Sequence, residues 1–164
     1  MPETEITART ISELIDDLKD TRKRTLQLIE GLDDKQLMGI KLDTVNPLLW
    51  EIGHAAYFHE LWTLRHLDEA EPIREDSDHI YDSITIAHED RWDLPLPSLK
   101  ETKDYMQQVM NAEIQRLLRG QENNTLTAQD IYLTRYAVFH EDMHTEAYTY
   151  TRRTLNYPRP IFSD

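Results

Sequence analysis

Apolar side chains recur at the spacing of an α-helix along four long segments of this chain, covering about residues 10–30, 48–67, 98–119 and 127–155. A repeat every three to four residues places these side chains on one face of a helix, and that face must be buried against another element. With only four glycines in 164 residues, the chain also lacks much of the turn chemistry that a β-sheet protein needs. The pattern therefore predicts an all-α fold, a four-helix bundle built as a single domain over residues 1–164.

Local signals predict where the later helices begin. Asn46 is a good cap residue and Pro47 suits the first helical position of the second helix. Ser98 and Glu101 have the spacing of a capping box before the third helix, and Thr127 opens the fourth in the same way.

The second helix is apolar on more than one side, with Trp50, Phe58, Leu61 and Trp62 spread around its circumference. One groove of a bundle covers only part of such a surface, so we expect a second copy of the chain or a further domain to cover the rest. The alternative is that the following segment folds back over it. That segment, residues 68–97, is acidic and rich in proline, and it predicts a long loop in which residues 83–92 form a short helix.

The charge and the residues that are missing narrow the classes of function. A formal charge of −13 disfavours nucleic acid and anionic membranes as partners, because both need a basic protein surface. Without cysteine, a metal ion would have to be held by His, Asp or Glu. Residues 1–5 are acidic and polar with no apolar run after them, which predicts no secretory signal or membrane anchor and a cytoplasmic location.

The main functional signal is a pair of histidines, His140 and His144, four positions apart on the inner stripe of the fourth helix. Side chains at this spacing lie one above the other and can converge on one metal ion. His54 lies on the inner stripe of the second helix, and bundles build metal sites from facing helices. Each inward histidine could instead be a hydrogen-bonded core residue. The other four are predicted to lie on another face or on the surface: His59, His66, His79 and His88.

The segment from His140 to His144 also matches the His-Glu-x-x-His motif of zinc proteases, in which Glu141 would be the general base. No third ligand follows at the spacing that those proteases use, and nothing in the chain predicts a sheet to hold a peptide. The motif therefore favours a metal site but not a protease.

Four stretches of this sequence occur in a recognisable order: NPLLWEIGH at 46–54, FHE at 58–60, YDS at 81–83 and HEDMHTE at 140–146. Together they resemble the N-terminal DinB-like domain of the ergothioneine and ovothiol sulfoxide synthases, and the selenoneine-synthase-like members in particular. The resemblance covers nearly the whole chain.

This resemblance implies a four-helix bundle, with a long loop between its second and third helices, in which three histidines bind non-haem Fe(II). The matching positions are His54, His140 and His144. In that family the iron activates O₂ for carbon–sulfur, or carbon–selenium, bond formation between a thiol or selenium donor and a histidine-derived betaine. The chain would then be an iron-dependent oxidoreductase domain. Zinc, nickel and manganese are the other divalent metals to consider for such a site.

The sequence departs from the family at several points. The synthases continue into a second domain, related to formylglycine-generating enzymes, that supplies a catalytic tyrosine and much of the substrate contact, so we expect this chain to be incomplete on its own. Met143 stands where some members have a substrate-contacting glutamine, and Arg91 is the one counterpart of their loop arginines. The resemblance thus marks Arg91 and Met143 as candidate substrate-contacting residues.

Two other functions remain open at this point. The chain could be a stand-alone DinB-like thiol-dependent transferase that uses a different divalent metal. It could also be a non-catalytic helical module whose aromatic helix serves assembly and whose metal, if any, is structural. Fe(II) that reacts with O₂ or nitric oxide would favour the oxidoreductase domain, whereas a complete lack of metal binding would favour the module.

Overall fold

Four long helices form the bundle, and the computed structural model describes residues 8–162 of the chain. Two short helices and one turn of 3₁₀-helix connect them, and no strand occurs within these residues. The second long helix begins at residue 48 and continues directly into a π-helical segment and a last α-helical turn, so that the chain is helical over 48–68. The helices are α1 (Ala8–Ile29), α2 (Asp34–Met38), α3 (Leu48–His59, with π-helix Glu60–Arg65 and turn His66–Asp68), α4 (Ser77–Tyr81), the 3₁₀ turn (His88–Trp92), α5 (Leu99–Glu122) and α6 (Ala128–Thr154).

The prediction of an all-α bundle with a long loop between its second and third long helices is confirmed. Helix α1 buries its apolar stripe against α5 and α6, and α3 packs against the same two helices. The predicted inner residues of α1 are all buried: Ile11, Leu14, Ile15, Leu18, Arg22, Thr25, Leu28 and Ile29. None of the described helices is long and apolar enough to cross a membrane.

Two of the predicted helix starts are confirmed by reciprocal hydrogen bonds. The Ser98 hydroxyl accepts a hydrogen bond from the Glu101 amide, and the Glu101 carboxylate accepts one from the Ser98 amide at 2.9 Å. Thr127 and Asp130 form the same capping box at the start of α6. These side chains satisfy backbone amides that have no partner within the helix.

The predicted cap of α3 is wrong. Helix α3 begins at Leu48 after Pro47, and no side chain caps it. The Asn46 side-chain oxygen instead accepts a hydrogen bond from Arg91 Nη1 at 2.7 Å. A partner from the distant loop has therefore taken the oxygen that a local cap would have used.

The long loop folds back over α3. This was the predicted alternative to a second copy or a further domain covering that helix. Trp50 is 1% exposed: its indole nitrogen donates to the Ile80 carbonyl oxygen at 2.6 Å, and Arg91 of the loop lies over its ring. The short helix predicted at 83–92 is wrong in position: the α-helical turn is α4, and only a 3₁₀ turn follows within the predicted range. The connector before α3 also contains a helix, α2, that the sequence pattern did not predict.

Candidate metal centre

Three histidine side chains converge where α3 faces α6. One ring nitrogen from each of His54, His140 and His144 lies within 4.8 Å of the other two. The four-residue spacing on α6 places His140 and His144 on the same side of the helix, and their Nε2 atoms are 3.3 Å apart. The structure thus brings together all three histidines that the sequence singled out.

The tautomer of His54 is fixed by the loop. Its Nδ1 lies 2.8 Å from the Tyr81 carbonyl oxygen, which can only accept, so Nδ1 carries the proton and Nε2 keeps its lone pair. The His54 ring also stacks on Trp50, with 4.8 Å between ring centroids and 7° between planes. Both contacts hold the ring in one orientation.

The tautomer of His144 is fixed by a buried carboxylate. Its Nδ1 lies 2.7 Å from Glu51 Oε1, and Glu51 is 1% exposed. A carboxylate that accepts from one imidazole nitrogen leaves the other free to bind a metal and makes it more basic, and this is a recurring arrangement behind metal-bound histidines. Glu51 was not among the site residues predicted from the sequence. The signal was a single acidic residue in the apolar run at 48–56.

His140 is held by packing. Its ring stacks on Phe58, with 3.6 Å between centroids and 9° between planes, and its Nδ1 has no hydrogen-bond partner among the described residues. Because Nδ1 of His144 holds that ring's proton, the two facing Nε2 atoms repel each other unless His140 places a proton between them or a cation takes both lone pairs. The donor set therefore fits a metal ion.

The electrostatic surroundings keep two of these imidazoles neutral. Burial lowers the pKa of His54 to about 4, and the nearby His144 adds to the effect. Burial, together with His144 and His54, lowers the pKa of His140 to about 2. Neutral imidazole is the form that binds a metal, and three such ligands suit iron, zinc or nickel while leaving further coordination positions open.

Arg91 and Met143 lie in different surroundings. The Arg91 guanidinium lies over Trp50, 4.1 Å from the ring centroid, and Trp50 in turn stacks on His54. Arg91 is thus one ring away from the histidines. Met143 is 55% exposed on α6. A contact of either side chain with substrate stays a prediction.

Glu141 is committed to the interior of the bundle. Its two carboxylate oxygens accept from Arg22 at 2.9 and 3.1 Å, and the Thr25 hydroxyl donates to Oε1 at 2.8 Å. His59 Nε2 lies 3.0 Å from Oε2. With these partners on α1 and α3, the carboxylate cannot serve as the general base that the protease motif requires.

His59 lies away from the three converging histidines, as predicted, but it is buried between two acids. Its Nδ1 is 3.0 Å from Glu113 Oε2, and its Nε2 faces Glu141. Burial alone would lower the pKa of His59, but the charges and hydrogen bonds of the two carboxylates outweigh it and raise this pKa to about 9. Arg22, His59, Glu113 and Glu141 therefore form a buried network of two cations and two anions that joins α1, α3, α5 and α6.

The remaining histidines are not part of either cluster. His66 and His79 are exposed, the latter as predicted. The prediction that His88 lies on the surface is only partly right, because its Nε2 bonds to the Val45 carbonyl oxygen at 2.7 Å and the ring is half-buried.

Known proteins with similar sequences include three that are named hercynine oxygenase. The protein from Mycolicibacterium thermoresistibile is 30% identical over 137 residues, which is 82% of this chain and 29% of the relative. The proteins from Mycobacterium tuberculosis and Mycolicibacterium smegmatis are 28% and 29% identical, over 79% and 81% of this chain. The chain spans less than a third of the length of each of these relatives.

A family model extends over most of the bundle. The model of the DinB superfamily matches residues 17–147, a range that contains the three converging histidines and Glu51. It agrees with the all-helical architecture and with the resemblance seen in the motifs of α3 and α6. The chain belongs to the DinB superfamily.

Proposed function

We propose that this chain is the non-haem Fe(II)-binding domain of an enzyme that uses O₂ to form a carbon–sulfur, or carbon–selenium, bond on a histidine-derived betaine. The observation that carries the proposal is the convergence of His54, His140 and His144, whose ligating nitrogens lie within 4.8 Å of one another while Nδ1 of His54 and of His144 has another partner. The name of the relatives supports it, because hercynine is the betaine of histidine.

The residues of this chain would have distinct roles in such a site. The three histidines would hold the ion, and when bound Fe(II) would supply the redox chemistry with O₂. Glu51 and the Tyr81 carbonyl would keep two rings in the ligating tautomer, while Phe58 would hold the third ring by stacking.

The substrates would be a small-molecule thiol or selenium donor and the betaine. Arg91 of the loop lies over Trp50, which stacks on His54, so it is our candidate for an anionic group of the sulfur or selenium donor. Met143 is our candidate for an apolar contact at the rim of the site.

We further propose that residues 1–164 form one metal-binding domain and that a domain related to formylglycine-generating enzymes supplies the rest of the active site. The short span of the chain relative to its relatives supports this division of labour. Positioning two substrates in register contributes several kcal/mol to catalysis, and a bundle that holds only the metal would lack that contribution.

The test is to load the purified chain with Fe(II) without oxygen and then add O₂, a small thiol and hercynine. We expect the ferrous protein to form a nitric oxide complex with a characteristic electron paramagnetic resonance signal and to oxidise the thiol, with little carbon–sulfur adduct detected by mass spectrometry. Adding the remaining domain should restore adduct formation. His140→Ala should abolish the nitric oxide signal, and His79→Ala, at an exposed position, should keep it.

Each failure of this test has a separate meaning. Efficient adduct formation by this chain alone would refute the division between two domains. Tight binding of zinc or nickel with no ferrous complex would refute the iron assignment and favour the thiol-dependent transferase. Absence of any metal binding would favour a non-catalytic assembly module.

A further inference from the structure

The C-terminal end of α6 is built into a pocket. Asn156 has a left-handed backbone with φ of 57°, the Asn156 amide donates to the Arg153 carbonyl, and the Tyr157 amide donates to the Arg152 carbonyl at 2.8 Å. This pattern ends a helix and reverses the chain, so that residues 157–160 return beside the last turn. A cavity of about 500 Å³ lies between the helix end and the returning segment.

One arginine of this pocket is buried and has no carboxylate partner in the described part of the chain. Arg152 is 4% exposed, and within residues 8–162 all three of its guanidinium nitrogens donate to backbone carbonyls: Nε and Nη2 to Pro158, and Nη1 to Leu28 at 2.8 Å. Burial lowers the pKa of Arg152. By contrast, the buried Arg22 is neutralised by Glu141. A buried cation that lacks a counter-charge is costly, and an anion beside it would reduce that cost.

Two further arginines line the same cavity. Arg153 and Arg159 are exposed, and neither side chain has an ion-pair partner within residues 8–162. Among the described residues that line the cavity there is no aspartate or glutamate, although the chain has 31 acidic and only 18 basic residues. The pocket is therefore a local patch of positive charge on a strongly acidic protein, and such a patch attracts anions.

We propose that this cavity binds a phosphate group, either free or as the monoester of a small molecule. Guanidinium groups present planar pairs of N–H donors that match phosphate oxygens, and they bind such anions more specifically than lysines do. The volume is within the usual range of small-ligand sites. Arg152 lies about two helical turns beyond His144, so the site is separate from the candidate metal centre.

The test is a nuclear magnetic resonance titration of the full chain with inorganic phosphate at an ionic strength held constant with sodium chloride. We expect saturable shifts of the Asn156 and Tyr157 amides. Arg153→Gln and Arg159→Gln should each weaken binding about fivefold, as expected for one exposed charged contact. Lys23→Gln, which removes one exposed charge from α1, should change the phosphate affinity by less than about twofold.

Arg152 is left unchanged in this test because it anchors two carbonyls, and thermal melting would show that the other variants stay folded. Shifts that never saturate, or a loss in Lys23→Gln as large as in Arg153→Gln, would overturn the site. A parallel titration with glycerol phosphate separates the two sources. Tighter binding of the ester supports a small-molecule monoester, equal binding supports free phosphate, and either result supports the site.

Discussion

Hydrogen-bond acceptors outside the ligand set decide what the histidines can do. The Glu51 carboxylate and the Tyr81 carbonyl each take the Nδ1 proton of one ring, which leaves Nε2 of His144 and of His54 with a free lone pair. A histidine without such a partner can switch tautomer and lose the ligating geometry. Glu51 is therefore as much a part of the site as the ligands themselves.

Two substitutions of Glu51 should weaken metal binding to different extents. Glu51→Ala removes the acceptor and should weaken it about 10- to 100-fold, whereas Glu51→Gln keeps an acceptor without the charge and should cost less. Competition with a coloured chelator measures both. Glu146→Ala, at an exposed position on α6, is the control. Affinity equal to that of the unchanged protein in both Glu51 variants would show that the carboxylate does not support the site.

The buried pair of acids around His59 predicts a pH dependence of stability. The pKa of His59 is raised to about 9 in the fold, above its ordinary value of 6.5, so its contribution is present below about pH 6.5 and is lost as the pH rises through about 9. The loss should amount to no more than about 3 kcal/mol of unfolding free energy.

Urea denaturation at a series of pH values between about 6 and about 10 measures this contribution to the free energy of unfolding. His59→Gln should remove most of the decline on the alkaline side, since its amide cannot gain a proton. His66→Gln, at an exposed position, should keep the decline. A decline of the same size in His59→Gln would assign it to another group.

Residue spacing and family motifs predicted the three candidate ligands, but they could not predict the partners of those residues. The spacing on α6 fixes His140 and His144 within one helix, so sequence alone relates them. Glu141 meets Arg22 across 119 residues, and Glu51 meets His144 across 93. Such contacts depend on how helices are rotated against each other, which a one-dimensional pattern does not contain.

At the scale of elements, α3 and the loop are one functional unit. Gly53 lets the Tyr81 ring lie directly against the helix, because a Cβ atom at this position would overlap that ring. The backbone of Tyr81 holds His54, so the close approach and the ligand orientation depend on each other.

Gly53→Ala should therefore both destabilise the protein and weaken the metal site. Overpacking at a rigid, buried ring costs about 1–3 kcal/mol. Chemical denaturation and metal affinity measure the two effects. Gly120→Ala is the control for overpacking away from the metal site, because there the new Cβ overlaps the Leu126 side chain, which is not among the described partners of the three histidines. A stable Gly53→Ala variant with full metal affinity would contradict the coupling.

Element boundaries were predictable where the signal is local and failed where a distant partner intervened. The capping boxes at Ser98 and Thr127 depend on residues three apart, and both are present. Asn46 had the same local signal, but Arg91 occupies its oxygen. Helix α4 is too short for a periodic pattern, and its position depends on covering Trp50.

At the scale of the whole molecule, an aromatic surface on α6 stays uncovered. Tyr132 and Phe139 are 66% and 67% exposed, and Met143 lies beside them. Exposed apolar patches of this kind mark interfaces, so we expect a second copy or a further domain to cover this surface. The folded-back loop covers Trp50 but leaves Trp62 partly exposed.

Analytical ultracentrifugation at micromolar concentration tests this expectation for the 164-residue chain. We expect either a dimer or a monomer that binds a hydrophobic dye. Phe139→Ser should reduce the dimer fraction or, for a monomer, the dye binding. Ile84→Ser, at an exposed loop position, should change neither. A monomer that binds no dye would contradict the assignment of this surface as an interface.

The central claim is that His54, His140 and His144 together hold one divalent metal ion. The most direct measurement is the iron content of the anaerobically loaded, desalted protein, compared among single alanine variants of all seven histidines. We predict about one ion per chain in the unchanged protein, in His66→Ala and in His79→Ala, and a large loss in each variant of the three candidate ligands. Equal metal retention in all seven variants would contradict the claim.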